Sequence, residues 1–125
     1  MRVFLGEGFV EDKMVDWTAR INASEGTPFQ KKVWGAMARI PRGKVSTYGL
    51  VARAIGKPKA MRAVGYACNQ NPFAPDIPCH RIVSSDGTLG GYAQGPAKKR
   101  ALLKREGILV QEGRVKEFES ILYTF

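Results

Sequence analysis

The chain's single histidine, His80, stands next to one of its two cysteines in the run Pro78-Cys79-His80-Arg81. A cysteine attacks as its thiolate, and forming the thiolate requires a base, hydrogen-bond donors or positive charge nearby. His80 and Arg81 are residue types that supply these. Adjacency is not contact, because neighbouring side chains of an extended segment point to opposite sides. Pro78 departs from regular structure and favours a fixed turn, in which the sulfur is presented at a helix end or in a pocket. A role as a small buried hydrophobe competes with this chemistry for Cys79, and outweighs it for Cys68. Two cysteines make no disulfide framework, and with His80 they fall short of a four-ligand zinc site unless carboxylates complete it. Neither a metal nor a cofactor is expected.

The elements that must position this turn are readable from caps and periodicity. Residues 1–26 read as an N-terminal extension, with an edge strand at Met1 to Leu5. Thr27-Pro28-Phe29-Gln30 is a capping box with proline at the first helical position. The helix it starts carries Phe29, Val33, Trp34, Met37 and Ile40 at three- and four-residue spacing, and Pro41 with Gly43 ends it. Ser46 or Thr47 caps a short helix with Leu50, Val51, Ala52 and Ile55, closed by Gly56. A third helix is expected from Lys59 or Ala60 to about Gln70, with Met61, Val64, Ala67 and Cys68 facing inward, before Asn71-Pro72 breaks it. The pair reads as a helix-turn-helix. Small Ala63, Gly65 and Ala67 let the second helix approach either DNA or the core closely, and Lys57, Lys59 and Arg62 are placed for phosphates.

Further on, Ile82-Val83 is a short β-branched stretch, Ser85-Asp86-Gly87 a turn, and Gly90 to Gly95 a flexible loop. Pro96 opens a helix to about Glu106, stopped by Gly107, with Lys98, Lys99, Arg100, Lys104 and Arg105 expected on its outer face. Beyond Ile108, apolar residues interrupted by Glu112-Gly113 suggest a terminal hairpin. The expected fold is one domain over residues 27–125, mainly α with short strands and winged helix-turn-helix-like.

Twenty lysines and arginines against 11 acids leave a net charge of +9, which suits a polyanionic partner as well as a solvated surface. No apolar run reaches the roughly 18 residues of a membrane span, and the N-terminus lacks a signal-sequence pattern. The protein is expected in the cytoplasm.

The run Ile77-Pro78-Cys79-His80-Arg81-Ile82-Val83 resembles the signature of the O6-alkylguanine-DNA alkyltransferases, also called methylated-DNA–protein-cysteine methyltransferases. Gly43 to Tyr48, Met61 to Gly65, Asn71-Pro72, Gly91-Tyr92 and Arg105-Glu106-Gly107 resemble that family in the expected order. The resemblance runs from about Thr27 to Ile108.

It implies direct reversal of DNA alkylation by irreversible, single-turnover transfer of the alkyl group from O6-alkylguanine to Cys79. His80 would take the thiol proton through a water molecule, Glu106 would orient His80, and Tyr48 would donate to the departing purine. Asn71 would tie the helix-turn-helix to the active-site segment. The helix-turn-helix would dock in the minor groove and flip the nucleotide, with Arg62 filling the vacated space. Thr47, Tyr48, Lys57, Lys59, Ala63 and Gly65 would complete the DNA contact; Pro78, Val83, Gly91, Tyr92 and Ala93 would line the pocket. The implied partner is double-stranded DNA containing O6-alkylguanine, met by a monomer without a cofactor.

The chain departs from the family pattern twice. Only 26 residues precede the first firm helix, so the larger N-terminal domain common in the family is expected as a remnant. Ala93 stands where some members carry a hydroxyl for the O6 atom, so that contact comes from backbone or is missing. Alkyltransferase-like damage sensors, which hold a lesion without accepting its alkyl group, share the short N-terminal region but replace the cysteine that is retained here. A helix-turn-helix regulator and a cysteine hydrolase complete the alternatives.

Overall fold

The computed structural model describes residues 17–125 in full and the backbone of residues 2–4 and 9–11. Arg2–Phe4 (β1) and Phe9–Glu11 (β2) form an antiparallel pair with Val3 opposite Val10; Met1 and Leu5, the ends of the expected edge strand, lie outside the described residues. Helix α1, Trp17–Ala23, buries Ile21 in the main core and stacks Trp17 against Phe73, so part of the stretch read as an extension packs on the domain.

Helix α2, Pro28–Met37, starts as its capping box requires. Thr27 Oγ1 accepts from Gln30 N at 3.1 Å, and Gln30 Oε1 accepts from Thr27 N at 3.0 Å. It buries Val33, Trp34, Ala36 and Met37, and the Trp34 indole donates to the Ala67 carbonyl at 2.9 Å. That bond satisfies the indole's only donor inside the core and locks α2 onto the second helix of the helix-turn-helix; truncating such a buried aromatic costs about 3–5 kcal/mol.

Strand β3, Ser46–Thr47, leads into helix α3, Tyr48–Ala54, whose N-cap is the Thr47 hydroxyl, accepting from Leu50 N at 3.1 Å. Gly56, at φ 79°, ends α3 in the left-handed region. Helix α4, Met61–Asn69, buries Val64, Ala67 and Cys68. Met61, expected inward, is instead half exposed. It lies in the first turn of α4, and a Cβ placed on Gly49 of α3 would lie 3.5 Å from its sulfur, in ordinary contact with it.

A single 3₁₀ turn, Cys79–Arg81, runs into strand β4, Ile82–Val83, which pairs in parallel with β3: Ser46 opposite Ile82, Thr47 opposite Val83. This short ladder joins the cysteine turn to the start of α3, so Cys79 and Tyr48 issue from opposite ends of adjacent strands. Helix α5, Pro96–Arg105, ends before Gly107 at φ 80°. Strands β5, Val110–Gln111, and β6, Arg114–Val115, form a hairpin whose two linking residues, Glu112 and Gly113, both have positive φ, the two-residue turn that matches strand twist. This hairpin is the wing. The chain end returns to the helix-turn-helix, where Tyr123 N donates to the Val45 carbonyl at 2.7 Å. The fold is therefore mainly helical, winged helix-turn-helix-like, with one apolar cluster under α1 to α4 and a second under β4, α5 and the hairpin.

Candidate active site

Local geometry explains why the cysteine sits in a turn. Pro78 has no N–H to offer a ladder, and the chain folds back around it: Cys79 N donates to the Ile77 carbonyl and Arg81 N to that of Pro78, both at 2.9 Å. Asn71 holds the segment from the other side. Its Nδ2 donates to the Ile77 carbonyl at 2.8 Å while its Oδ1 accepts from Phe73 N at 2.9 Å, which ties the C-terminus of α4 to the residues just before Cys79.

Cys79 is 6% exposed. Burial pushes its thiol up from the ordinary range, and the Asn71 amide, the Lys99 ammonium and the Tyr92 hydroxyl each pull it back. In the resting protein the sulfur is a thiol set among groups that favour its anion, so a base must remove the proton.

A residue type able to act as that base is beside it in sequence and held in place by the fold. His80 is buried, and its Nε2 lies 2.8 Å from Glu106 Oε2. Burial opposes charge on Glu106, but hydrogen bonds from His80 and Arg81 and the charge of Arg81 outweigh it and hold the carboxyl down at about 2. Arg81 is bidentate on Glu106, Nε at 2.9 Å and Nη2 at 2.8 Å, and its Nη1 donates to the Ile40 carbonyl at 2.6 Å. An ionised carboxylate can only accept, so the proton of a neutral His80 belongs on Nε2. That leaves Nδ1 with its lone pair, buried and without a protein partner. Arg81 was expected to act on the sulfur; it fixes the carboxylate that orients the base.

Tyr48 stands at the first position of α3, its ring against Gly65 of α4. Burial raises its phenol to about 12, so it stays a neutral donor through the working pH range. Its hydroxyl donates to the Gly91 carbonyl at 3.4 Å, long enough to be readily exchanged for a better acceptor. A side chain on Gly90, which is at φ 71°, would begin 2.9 Å from that hydroxyl. Only glycine lets the loop come this close.

Tyr48, Met61, Gly65, Asn69, Ser84, Gly90 and Gly91 line a shallow cleft of about 290 Å³ between the helix-turn-helix and this loop. Of the residues expected to form the pocket, Gly91 lines the cleft. Pro78 is buried in the turn, Tyr92 is half-buried with its hydroxyl buried, without a hydrogen-bond partner and near enough to Cys79 to act on its ionisation, and Ala93 is exposed. Val83 does not reach the cleft: it is fully buried in the second apolar cluster with Val45, Leu89 and Leu103. Among the expected DNA contacts, Arg62, Ala63, Lys57 and Lys59 are exposed and Gly65 is half-exposed, on the outer face of α4 and the turn before it. Thr47 is buried with its hydroxyl engaged as the α3 cap, so its part is to set Tyr48.

Lys99 was expected on the outer face of α5 and is instead completely buried. Its Nζ donates to the carbonyls of Ile82 at 2.6 Å, Leu89 at 2.5 Å and Gly91 at 3.1 Å, and lies 6.0 Å from the centre of the Tyr48 ring. One ammonium thus joins the strand after the cysteine turn to the loop that walls the cleft. Burial lowers its pKa to about 8, while negative charge on Cys68 or Cys79 works the other way. The pattern of five basic residues in α5 concealed it, because nothing local marks which lysine turns inward.

A helix-turn-helix with a hairpin wing and a polar-lined cysteine turn defines a DNA-binding domain of winged type that carries a thiol site. Residues 28–108 match the family described as the 6-O-methylguanine DNA methyltransferase, DNA-binding domain, and the chain belongs to that family. A methylated-DNA–protein-cysteine methyltransferase of Methanosarcina acetivorans is 55% identical over 85 residues, 68% of this chain and 54% of its own length. The chain thus spans about half the length of that curated relative. The structure of Mycobacterium tuberculosis OGT in complex with DNA is similar at a TM-score of 0.65 and 48% identity, over 66% of this chain and 51% of that one. S. pombe Atl1, in complex with damaged DNA containing O6-carboxymethylguanine, is similar at a TM-score of 0.70 and 30% identity, over 82% of this chain and 100% of that one. Among the described residues, no helix is long and apolar enough to cross a membrane.

Proposed function

We propose that this chain repairs duplex DNA by moving the alkyl group of O6-alkylguanine onto the Cys79 sulfur, once per molecule. The observation that carries the reading is the convergence on one turn of Cys79, its anion-favouring neighbours Asn71, Tyr92 and Lys99, and a base held by an ionised carboxylate. A water bridging to the free lone pair of His80 Nδ1 carries the thiol proton to the imidazole, and the resulting imidazolium is stabilised by Glu106. The thiolate attacks the alkyl carbon, the sulfur–carbon bond forms as the carbon–O6 bond breaks, and guanine departs with the electron pair. Tyr48 gives up its long bond to Gly91 and donates to the purine as negative charge develops there, so its help is greatest in the transition state. The product is a thioether, which offers water no carbonyl to attack, so the acceptor is not regenerated.

The reacting carbon lies inside the stacked duplex, and the site supports extrusion of the nucleotide rather than entry of the enzyme. The outer face of α4, with Arg62, Ala63 and Gly65, meets the minor groove, and Arg62 occupies the space the base leaves. The loop from Gly90 to Gly95 yields to admit the base. Residues 27–125 form the working unit, acting as a cytoplasmic monomer that needs no cofactor.

Similarity to Atl1 over the whole of that chain favours a second reading, lesion binding without transfer. Cys79 separates the two. Incubation with duplex containing O6-methylguanine adds one methyl group to the intact mass, mapped to the Cys79 peptide, and Cys79→Ser binds the same duplex without gaining mass. Tight binding by the parent with no mass gain would leave only the sensor.

A further inference from the structure

We propose that the solvent face of α5 is a second phosphate-binding surface, engaging the backbone of the same duplex beyond the helix-turn-helix contact. It rests on the reading of the chain as a DNA-binding protein.

Helix α5 has five basic residues in ten and no acid. Lys99, Leu102 and Leu103 face inward, which leaves Ala97, Lys98, Arg100, Ala101, Lys104 and Arg105 exposed. At about 100° per residue, Arg100 and Lys104 fall along one side of the exposed face, Lys98 and Arg105 along the other, with the two alanines between them. The rows are about 6 Å and about 10 Å long at 1.5 Å rise per residue. Two lines of cations thus flank a strip low enough for a phosphodiester chain. Arg42 adds a guanidinium at the C-terminal end, its Nη2 donating to the Arg105 carbonyl at 2.7 Å.

Among the described residues this charge is not compensated: no carboxylate pairs with these four side chains, and Glu106, next in sequence, is held by His80 and Arg81. The helix also suffers from its own arrangement. Lys98 lies in the first turn, where the helix dipole repels cations and where α5 has no acid, and Arg100 and Lys104 are like charges four residues apart. Each is unfavourable by a few tenths of a kcal/mol in isolation. A polyanion removes that repulsion.

The occupant is nucleic acid rather than an acidic protein because the face offers charge and no anchor. Apart from the cations, α5 exposes only Pro96 at its first position and two alanines, none of them aromatic or long, whereas protein interfaces draw their energy from buried aromatic and large side chains. Phosphate contacts require only positive charge and close approach. The inward side of the same helix carries Lys99 and packs against the cysteine turn, so a duplex held on the outer side is rigidly related to the site.

The test uses the full chain, a variant with Lys98, Arg100, Lys104 and Arg105 all changed to Gln, and undamaged duplexes of about one and about three helical turns. Glutamine keeps helix propensity and removes the self-repulsion, so folding is retained. On the longer duplex the slope of log affinity against log salt becomes shallower by about 2 to 4, on the basis of about 0.9 per phosphate contact. On the one-turn duplex the slope is unchanged, and methyl transfer at saturating lesion-bearing DNA proceeds at the parent rate. Ala101→Glu, which keeps all four cations but sets an acid between the rows, also weakens binding to the longer duplex only. An unchanged slope on the longer duplex overturns the proposal. A Lys57→Gln/Lys59→Gln control separates this from failure of the DNA reading: it lowers the slope on both duplexes if the helix-turn-helix binds DNA, whatever α5 does.

Discussion

Cys68 and Cys79 are almost equally hidden, 7% and 6% exposed, and burial raises the thiol of both. What differs is the lining. Cys68 sits on the inner face of α4 with its sulfur 3.5 Å from Met37 Sδ, and its thiol is driven to about 12. Cys79 sits in a turn where an amide, a phenol and an ammonium converge, and a buried imidazole is its neighbour in sequence. Exposure therefore does not distinguish the two sulfurs. Their polar surroundings do: burial raises both thiols and the Lys99 charge eases both, but the Asn71 amide and the Tyr92 hydroxyl act on Cys79 alone.

The sharpest way to break this contrast is to exchange the fates of the two sulfurs. Cys79→Ser abolishes methyl transfer while leaving lesion binding intact, read by mass and by fluorescence anisotropy. Glu106→Gln keeps the shape of the site but no longer demands a proton on His80 Nε2, and it leaves Arg81 without its carboxylate. Single-turnover transfer falls by about two to four orders of magnitude, the scale of a lost or mis-set general base. A loss below tenfold in rapid-quench measurements would remove His80 from the proton path.

Lys99→Met comes next, with a loss of about tenfold, about 1.4 kcal/mol in the barrier. The same lysine makes a prediction for pH. Folded Lys99 gives up its proton near pH 8, whereas the unfolded chain holds it to about 10.5, so at this residue the unfolded state binds more proton between these values and the contribution of Lys99 to stability rises across the interval. Over the same interval the neutral amine has two N–H groups for three carbonyls and no charge to offer the thiolate, so transfer slows. The stability of the parent relative to Lys99→Met thus rises with pH above 8 while parent transfer slows, and the loss of stability from the raised thiols and phenols of Cys68, Cys79, Tyr48 and Tyr92 is common to both proteins. The smallest effect belongs to Cys68→Ala, which leaves a cavity of about one sulfur atom, lowers stability by about 1 kcal/mol and changes the transfer rate less than twofold.

Local rules read much of this molecule correctly. The capping box at Thr27 and Gln30, the left-handed stops at Gly56 and Gly107 and the Glu112-Gly113 hairpin turn appear where the sequence places them, because each depends on a few consecutive residues. The pairing of His80 with Glu106 was also legible, through resemblance rather than spacing, since 26 residues separate them. Three readings needed the fold. Lys99 differs from Lys98 only in the side of α5 it occupies, Met61 is half exposed beside Gly49 of α3, and Val83 is buried within the second cluster rather than in the cleft.

The amino-acid sequence alone determined which residues were able to react and which segments were helical, because a thiol beside an imidazole, a cap and a 3.6-residue period are properties of neighbouring residues. The tertiary structure alone decided which sulfur was set among polar groups and which side chain held the neighbouring loop. Both depend on the dielectric and hydrogen-bonding surroundings of a buried group, and for Cys79 and Lys99 those surroundings come from residues distant along the chain.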